Sequence, residues 1–277
     1  LTSSSARAAL VNTKVLSLRK KGRHASSSSS SSGKQTKKQT MIIKAVSNSV
    51  TPDNDWGEST QAVHNGERGG RPRISDSLTT PIVCTSTYTF KDTQELIDYQ
   101  EGNYGSFEYG RYGNPTTRAA EEKIRLLEGG NDCLLSASGM CTAVTMLLSL
   151  VPAGGHIVTT TDCYRRTRQF IQTFLPKMGI TSTVLDPSDY DGLQKALDEH
   201  DCSLYFSESP TNPYLRCVDI DRISKMCKPK GCLVCIDGTF ATPCNLKPLM
   251  FGADLVIHSA SKYMGGHNDV LAGVIVG

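Results

Sequence analysis

The chain has 277 residues, of which 38% are hydrophobic and 21% are charged, and this balance indicates a globular protein. Its ten cysteines are too few for a disulfide-scaffold protein, and their scatter through strand and helix patterns suits reduced thiols. No apolar stretch approaches the roughly 20 residues that a membrane-spanning helix requires, so we expect a soluble protein with no membrane partner.

The first 52 residues differ from the rest in charge. They contain ten Lys or Arg, no acidic residue and 13 serines. Such a segment is typical of an organelle transit peptide, and a plain disordered tail is the alternative. The remaining chain carries 20 basic and 27 acidic residues, a net charge of −7, which does not favour nucleic-acid binding. Because Leu1 is not an initiator Met, we expect the true start to lie upstream.

The next segment looks like an extended arm. Residues 53–80 have an irregular pattern, and we assign residues 53–115 to an N-terminal arm. A strong helix signal then starts at Asn114–Thr117, continues through good helix formers to Glu128 and stops at a glycine pair. We therefore predict a globular domain over residues 116–277.

Strand and helix patterns alternate in this domain. Six strands are predicted at Ile157–Thr160, Thr183–Leu185, Leu204–Phe206, Leu233–Ile236, Leu255–Ile257 and Val274–Val276. Helices are predicted between some of them at Tyr190–Glu199 and Asp219–Cys227. This alternation indicates crossover connections, so the fold class is α/β with a mostly parallel sheet. Such sheets bind ligands beyond the carboxyl ends of their strands.

A lysine just beyond one predicted strand is the first candidate for chemistry. Leu255–Ile257 leads into Ser259-Ala260-Ser261-Lys262, and a glycine pair follows. A lysine in this place is either a solvated surface cation or an amine that forms a Schiff base with an aldehyde cofactor. Ser259 and Ser261 could donate hydrogen bonds to the phosphate of that cofactor.

Two further segments supply what a pyridoxal phosphate (PLP) site requires. Asp237 ends an apolar run and can pair with a protonated pyridine nitrogen, although capping of a turn is the alternative. Ser136–Met140 precedes a stretch of helical length, and small residues at a helix start leave N–H groups free for a phosphate. In isolation this segment is equally an ordinary helix cap. The order of phosphate loop, acid, serines and lysine favours the cofactor.

Five motifs, from about Pro81 to the end of the chain, make this region similar to a known family. They are Tyr109–Thr116, Ser138-Gly139-Met140, Glu208–Pro213, Ile236-Asp237 and Ser259–Tyr263. They resemble the cystathionine gamma-synthase and lyase family of PLP enzymes, also called the Cys/Met metabolism family. Asp162–Thr167 and Gly265–Asp269 are most similar to the plant cystathionine gamma-synthases. The resemblance implies the large domain of PLP fold type I, the aspartate aminotransferase-like fold.

The resemblance also implies roles for individual residues. Lys262 would anchor the cofactor and carry protons, Asp237 would pair with the pyridine nitrogen, and Tyr164 would stack on the ring. Asn212 would hydrogen-bond the ring hydroxyl oxygen. The other implied cofactor contacts are Ser138, Gly139, Met140, Thr239, Ser259 and Ser261.

Two residues of the arm imply that the protein forms an oligomer. Tyr109, which would also be catalytic, and Arg111 would reach the phosphate of a neighbouring subunit, which implies a homodimer or homotetramer with shared active sites. The family continues beyond the apolar run at 272–277 into a smaller domain that holds an arginine for the substrate carboxylate. We therefore expect a chain that is incomplete at both ends and inactive by itself.

The implied reaction is γ-replacement in methionine biosynthesis. An activated homoserine, in plants O-phosphohomoserine, would lose its α-proton and a β-proton, phosphate would leave the γ-carbon, and the sulfur of cysteine would add to give cystathionine. Cystathionine β-lyase, γ-lyase and sulfhydrylase activities are alternatives, because they share the cofactor contacts. A plant enzyme of this kind behind a transit peptide implies the chloroplast stroma.

Interpretations of other classes remain open. Arg68–Arg71 and the Tyr/Gly-rich run at 102–113 mimic an RGG-type RNA binder, but the negative charge of the α/β region disfavours nucleic acid. A silent truncated form that pairs with full-length subunits is another possibility. Cys232 and Cys235 form a CxxC whose offset puts them on opposite faces of a strand, so we predict no metal there. His258 and His267 are isolated, and neither is assigned a metal.

Overall fold

The computed structural model describes residues 57–64 and 77–277, which form two compact units. The first unit ends at Leu126, and the second comprises Leu127–Gly277. The basic segment at 1–52 and the Arg-Gly-Gly-Arg motif lie outside the described residues. In the described ranges, none of the helices combines the length and apolarity needed to cross a membrane.

The first unit contains helices where we expected an irregular arm. They are α1 (Glu58–His64) and α2 (Thr93–Glu101). The expectation for residues 53–80 is wrong at α1, whose first-turn Glu58 interacts favourably with the helix dipole. The side chain of Asp92 caps α2 by accepting a hydrogen bond from the Glu95 N–H at 3.0 Å. The assignment of residues 53–115 to an intersubunit arm stays a prediction.

The predicted helix after the arm is confirmed as α3 (Pro115–Glu128). Asn114 precedes it, and its side-chain oxygen accepts a hydrogen bond from the Thr116 N–H at 2.8 Å. The Asn114 amide and the Thr116 hydroxyl donate to the carbonyls of Val83 and Pro81, each at 2.8 Å. The Asn-Pro-Thr sequence therefore starts the helix and ties an extended segment to its first turn.

A seven-stranded sheet forms the centre of the residues described in the second unit. Its strands are β1 (Cys133–Ser136), β2 (His156–Thr160), β3 (Thr181–Leu185), β4 (Cys202–Glu208), β5 (Leu233–Asp237), β6 (Leu255–His258) and β7 (Gly273–Val276). The order is β1-β7-β6-β5-β4-β2-β3. Strands β2 to β6 pair in parallel, and β7 is antiparallel to β1 and β6. The predicted mostly parallel α/β fold and its six strands are confirmed, whereas β1 was not predicted.

Helices connect these strands. They are α4 (Gly139–Leu150), α5 (Arg165–Gln169), α6 (Tyr190–Glu199), α7 (Ile220–Cys227) and α8 (Thr242–Asn245), with a π-helical turn at Phe170–Phe174 and 3₁₀ turns at Leu175–Met178, Lys228–Lys230 and Pro248–Phe251. The predictions for α6 and α7 are confirmed. Asp189 and Asp219 begin these two helices, because their side chains accept from backbone N–H groups of the first turn at 2.8 and 3.0 Å.

The sheet has an apolar core on each face, because successive strand residues point to opposite sides. In β4, Leu204 and Phe206 pack on one face with α4 and the turns that follow α5, whereas Tyr205 packs on the other with α6 and α7. All seven residues of β4 are buried. Burial on both faces explains why the strands read as continuous apolar runs, as parallel strands in α/β proteins do.

A histidine pair lies at the amino-terminal ends of these strands. His156, at the start of β2, is buried, and its two ring nitrogens lie 2.7 and 2.9 Å from the hydroxyls of Thr181 and Thr183. Its ring stacks on that of His200, with centroids 4.0 Å apart. Burial, and secondarily the neighbouring His200, lowers the pKa of His156 to about 4. The ring is therefore neutral and joins β2 to β3.

We expect His156 to make the protein less stable as the pH falls from about 6.5 towards about 4. The unfolded chain takes up this proton first, so the free energy of unfolding falls by up to about 1.4 kcal/mol per pH unit. His156→Gln should lower stability by about 1 kcal/mol at pH 7 and show a smaller further loss at pH 5. Urea unfolding measures both values. The control His267→Gln, at an exposed site, should lose as much free energy of unfolding between pH 7 and pH 5 as wild type does. If His156→Gln also lost as much as wild type, this account would be contradicted.

Candidate active site

The predicted cofactor residues of the second unit follow strands whose carboxyl ends share one edge of the sheet. Neighbours β6, β5, β4 and β2 are parallel, so their last residues lie along that edge. Strand β1 runs in the same direction as β6, because each is antiparallel to β7. The aspartate is the last residue of β5, and the loops after β6, β4, β2 and β1 carry the lysine, the asparagine, the tyrosine and the glycine at the start of α4.

The lysine lies on a compact turn. The Lys262 N–H donates to the Ser259 carbonyl at 3.1 Å, and the Gly266 N–H donates to the Lys262 carbonyl at 2.8 Å. The Ser261 hydroxyl exchanges hydrogen bonds with the backbone of Ala272, which precedes β7. The turn is thus fixed to two strands, while the Lys262 side chain is exposed. Such an amine is available for a covalent bond.

The start of α4 has the properties of an anion site. The Ser138 hydroxyl accepts the Cys141 N–H at 3.1 Å and so caps the helix. Among the described residues, no acceptor is found for the N–H groups of Gly139 and Met140, which precede the first intrahelical bond. A Cβ on Gly139 would lie 2.7 Å from the Cβ of Ser259, so only glycine allows this contact.

Asp237 ends β5 and is partly buried. Its Oδ1 accepts hydrogen bonds from the Thr239 N–H at 3.0 Å and from the Thr239 hydroxyl at 2.5 Å. Burial raises the pKa of Asp237, while Thr239 and, more weakly, the charge of His258 oppose this rise. The Thr239 hydroxyl in turn accepts the Ser259 N–H at 2.8 Å. Thr239 therefore couples the acid to the lysine turn, and a cationic partner would favour the ionised carboxylate.

Glu208 is a second buried carboxyl at this edge, and we assigned it no role from the sequence. It lies beside Asp237 in the β4–β5 register. Burial and the charge of Asp237 raise the pKa of Glu208 to about 8, although hydrogen bonding to the backbone N–H groups of Asn212 and Tyr164 opposes this rise. The carboxyl is therefore mostly protonated near neutral pH. Asp237 can then be ionised without repulsion from a second negative charge on Glu208.

The loops that carry Tyr164 and Asn212 are joined by an arginine, which the sequence analysis also missed. Arg216 contacts Asp162 at 3.1 Å and Asp186 at 2.6 Å. Its carbonyl accepts a hydrogen bond from the Thr211 N–H, and its backbone N–H donates to the Thr211 hydroxyl. Tyr164 is 47% exposed and Asn212 is exposed, so both side chains are free to contact a ligand.

Tyr109 and Arg111 belong to the first unit. The Arg111 guanidinium lies 5.0 Å from the Tyr109 ring centroid and 5.5 Å from that of Tyr112, within cation–π range. The Gly110 N–H donates to the Ser86 carbonyl at 2.7 Å and fixes this turn. The two residues predicted to bind a neighbouring subunit's phosphate thus form one cluster.

Within 57–64 and 77–277, no group of three or more His, Cys, Asp or Glu side chains could hold a metal ion. None of the ten cysteines forms a disulfide bond. Cys232 lies just before β5 and Cys235 within it. A hydrogen bond with Cys227, together with burial, raises the pKa of the Cys232 thiol, and burial raises that of Cys235. These groups are therefore poor nucleophiles and poor metal ligands.

The chain is similar in sequence to known proteins. Residues 59–277 match the family described as Cys/Met metabolism PLP-dependent enzyme. The chain is 64% identical over 220 residues to cystathionine gamma-synthase 1, chloroplastic, of Nicotiana tabacum, an alignment that covers 79% of this chain and 41% of the tobacco protein. It is 38% identical over 216 residues to cystathionine beta-lyase of Lactococcus lactis subsp. cremoris (strain MG1363), with 78% and 54% covered.

A solved structure is similar over the same region. It is a putative O-acetylhomoserine (thiol)-lyase (metY) of Campylobacter jejuni subsp. jejuni NCTC 11168, which carries N′-pyridoxyl-lysine-5′-monophosphate. The TM-score is 0.73 at 27% identity, and the match covers 80% of this chain and 55% of that chain. This chain spans about half the length of the relatives it matches.

The raised pKa of Glu208 gives a pH-dependent stability. The folded protein holds this proton up to about pH 8, whereas the unfolded chain releases it near pH 4.5. The free energy of unfolding therefore falls as the pH rises from about 4.5 to about 8. Glu208→Gln removes the loss, so its free energy of unfolding relative to wild type should increase from pH 5 to pH 8. Urea unfolding of the cofactor-free proteins measures this. Glu199→Gln, at the surface, should keep the wild-type profile, and a Glu208→Gln profile parallel to wild type would refute the prediction.

Proposed function

This chain belongs to the Cys/Met metabolism family of PLP-dependent enzymes, and its mostly parallel sheet is that of the PLP fold type I large domain. From this premise we propose that the sheet edge described above binds PLP and forms the cofactor-binding part of a cystathionine gamma-synthase active site. The substrates are O-phosphohomoserine and cysteine, and the product is cystathionine.

The close contact between Gly139 and Ser259 is the observation that carries the proposal. It holds the start of α4 against the lysine turn. A phosphate bound by the free N–H groups of Gly139 and Met140 would therefore lie beside the serines that precede Lys262. Free amides, an exposed amine and a carboxyl suit the phosphate, the aldehyde and the pyridine nitrogen of PLP, so the residues present fit this cofactor.

The chain's own residues would orient the substrate and move its protons. Bound PLP supplies an electron sink that makes the α-hydrogen of an amino acid acidic. Asp237, held by Thr239, would keep the ring nitrogen protonated, and Tyr164 would cover one ring face. Asn212 would orient the ring hydroxyl oxygen. The Lys262 amine would anchor the cofactor, accept the α-proton of the substrate and return a proton later in the reaction.

The other predicted contacts would act through different groups. Gly139 and Met140 would use their backbone N–H groups, and Ser259 would use its hydroxyl. The hydroxyls of Ser138 and Ser261 already have partners in the fold, so we assign these residues to shaping the phosphate site. Arginine suits phosphate because its guanidinium binds two oxygens, which supports Arg111 as a phosphate ligand supplied to a second subunit.

We favour a synthase over a lyase, because the chain is 64% identical to the tobacco synthase and 38% identical to the Lactococcus lactis lyase. Cystathionine β-lyase activity is the second candidate, since the cofactor contacts do not distinguish the two reactions. We assign the protein to the chloroplast, because the tobacco relative is named chloroplastic and residues 1–52 are basic and free of acidic residues. The stroma is the compartment we expect.

Product analysis of the complete gene product tests the function. The protein is incubated with PLP, O-phosphohomoserine and cysteine, and the products are followed by mass spectrometry. Cysteine-dependent formation of cystathionine supports the proposal. If no cystathionine is formed, and added cystathionine instead releases homocysteine and pyruvate, the protein is a cystathionine β-lyase.

Lys262→Ala should abolish turnover, because it removes both the cofactor anchor and the proton carrier. Borohydride reduction followed by peptide mass spectrometry should find a pyridoxyl group on Lys262 in wild type and none at this position in the variant. Lys177→Ala, which removes an exposed lysine after α5, is the matched control and should retain activity and labelling. Steady-state turnover by Lys262→Ala at the wild-type rate would contradict the role of Lys262 as cofactor anchor and proton carrier.

Arg111→Ala should weaken PLP retention if this residue binds the phosphate of a neighbouring subunit. Mixed oligomers of Arg111→Ala and Lys262→Ala chains should then regain part of the activity, because one of the two sites in such a pair contains both native residues. The two variant chains are co-expressed, each with a different affinity tag, and the activity of the mixed oligomers is measured. Mixed oligomers as inactive as either parent would show that the sites are not shared.

A further inference from the structure

A buried histidine–glutamate pair lies next to the candidate site and is used by none of the roles above. His258, the last residue of β6, is 1% exposed, and Glu128, the last residue of α3, is fully buried. The His258 Nε2 lies 2.5 Å from Glu128 Oε1. His258 Nδ1 and Glu128 Oε2 have no hydrogen-bond partner in the described part of the chain. Buried polar atoms in proteins are usually hydrogen-bonded, so these two exceptions require an explanation.

The pair is directed towards Asp237. The His258 ring packs against Gly238, the residue after Asp237, since a Cβ on this glycine would lie 2.8 Å from His258 Cε1. The charge of His258 lowers the pKa of Asp237. The positive charge of the imidazole would therefore oppose the cost of burying the Asp237 carboxylate.

The other titratable groups around Asp237 are neutral near pH 7. Burial and the charge of Asp237 raise the pKa of Glu208, on β4, to about 8. Burial raises the pKa of Cys163 to about 11, and it also raises that of Cys235 on β5. Among the described residues, His258 is the cation whose charge lowers the pKa of Asp237.

We infer that His258 and Glu128 form a positioning pair in which Glu128 holds His258 as an imidazolium, and that this charge keeps Asp237 ionised for the cofactor ring. A single proton is shared between the carboxyl and the imidazole, and the negative charge of Asp237 favours the form with the proton on the imidazole. The partnerless Nδ1 then carries a hydrogen, and this hydrogen lies in the field of the Asp237 carboxylate. The inference rests on the proposed function, because it assigns the ring nitrogen of PLP as the partner of Asp237.

The test compares PLP retention by wild type and by Glu128→Gln of the complete gene product. Glutamine keeps the shape of the side chain but cannot stabilise a cation. The variant should bind PLP roughly tenfold more weakly, and its loss of PLP on acidification should begin about one pH unit higher, because Asp237 is then protonated more easily. Equilibrium dialysis across a pH series measures both values. Glu128→Asp, which restores the carboxylate, should recover part of the affinity.

Two matched controls separate this effect from loss of stability. Glu122→Gln removes a buried glutamate of the same helix, one that pairs with Arg125. His156→Gln removes a buried histidine at the opposite ends of the strands. Both should retain PLP with the wild-type pH profile, although the second unfolds more easily. A Glu128→Gln profile equal to that of wild type, or one reproduced by either control, would overturn the inference.

A measurement on wild type avoids the question of whether a variant folds. ¹⁵N chemical shifts of the His258 ring in the PLP-loaded protein report whether both nitrogens carry hydrogen. We expect hydrogen on both ring nitrogens at neutral pH, and a ring with hydrogen on only one of them would overturn the inference. Wild type that takes up no PLP would instead refute the proposed function, so the two failures are distinguishable.

Discussion

The burial of the Asp237 carboxyl is the physical constraint on which the site depends. A carboxylate in a poorly hydrated position tends to take up a proton, and a protonated Asp237 could not stabilise a cationic ring. The surrounding residues counteract this tendency: Thr239 donates two hydrogen bonds, and His258 contributes favourable charge. Glu208 stays mostly protonated near neutral pH, so it adds little like charge beside Asp237.

This arrangement requires the doubly covered parallel sheet. Because apolar clusters cover both faces, water reaches the strands mainly at their ends, and polar groups within β4 to β6 are desolvated. Parallel pairing then places Glu208, Asp237 and His258 at the same edge. A carboxyl placed at the centre of such a sheet would be far from any ligand, whereas at the edge it is partly buried and still within reach of a bound molecule.

Much of the fold could be predicted from sequence, because it leaves local signals, and the cofactor residues were proposed from signals of the same kind. Buried parallel strands appear as apolar runs, and Lys262 and Asp237 follow such runs directly. Helix α1 has only seven residues, and we predicted neither it nor the strand β1, whose apolar residues are limited to Cys133–Leu135. The pairing of β1 with β7 joins segments more than 130 residues apart, which no local pattern encodes.

The groups that tune the acid were missed for a related reason. Glu208 has an ordinary sequence context at the end of a strand, and only its register with Asp237 shows that the two carboxyls share one environment. His258 looked isolated in sequence, yet its partner Glu128 lies 130 positions earlier. The residues proposed to contact the cofactor follow local turns, whereas the residues proposed to set the charge of those contacts are defined by packing between elements. The second kind becomes visible only once the strands are placed side by side.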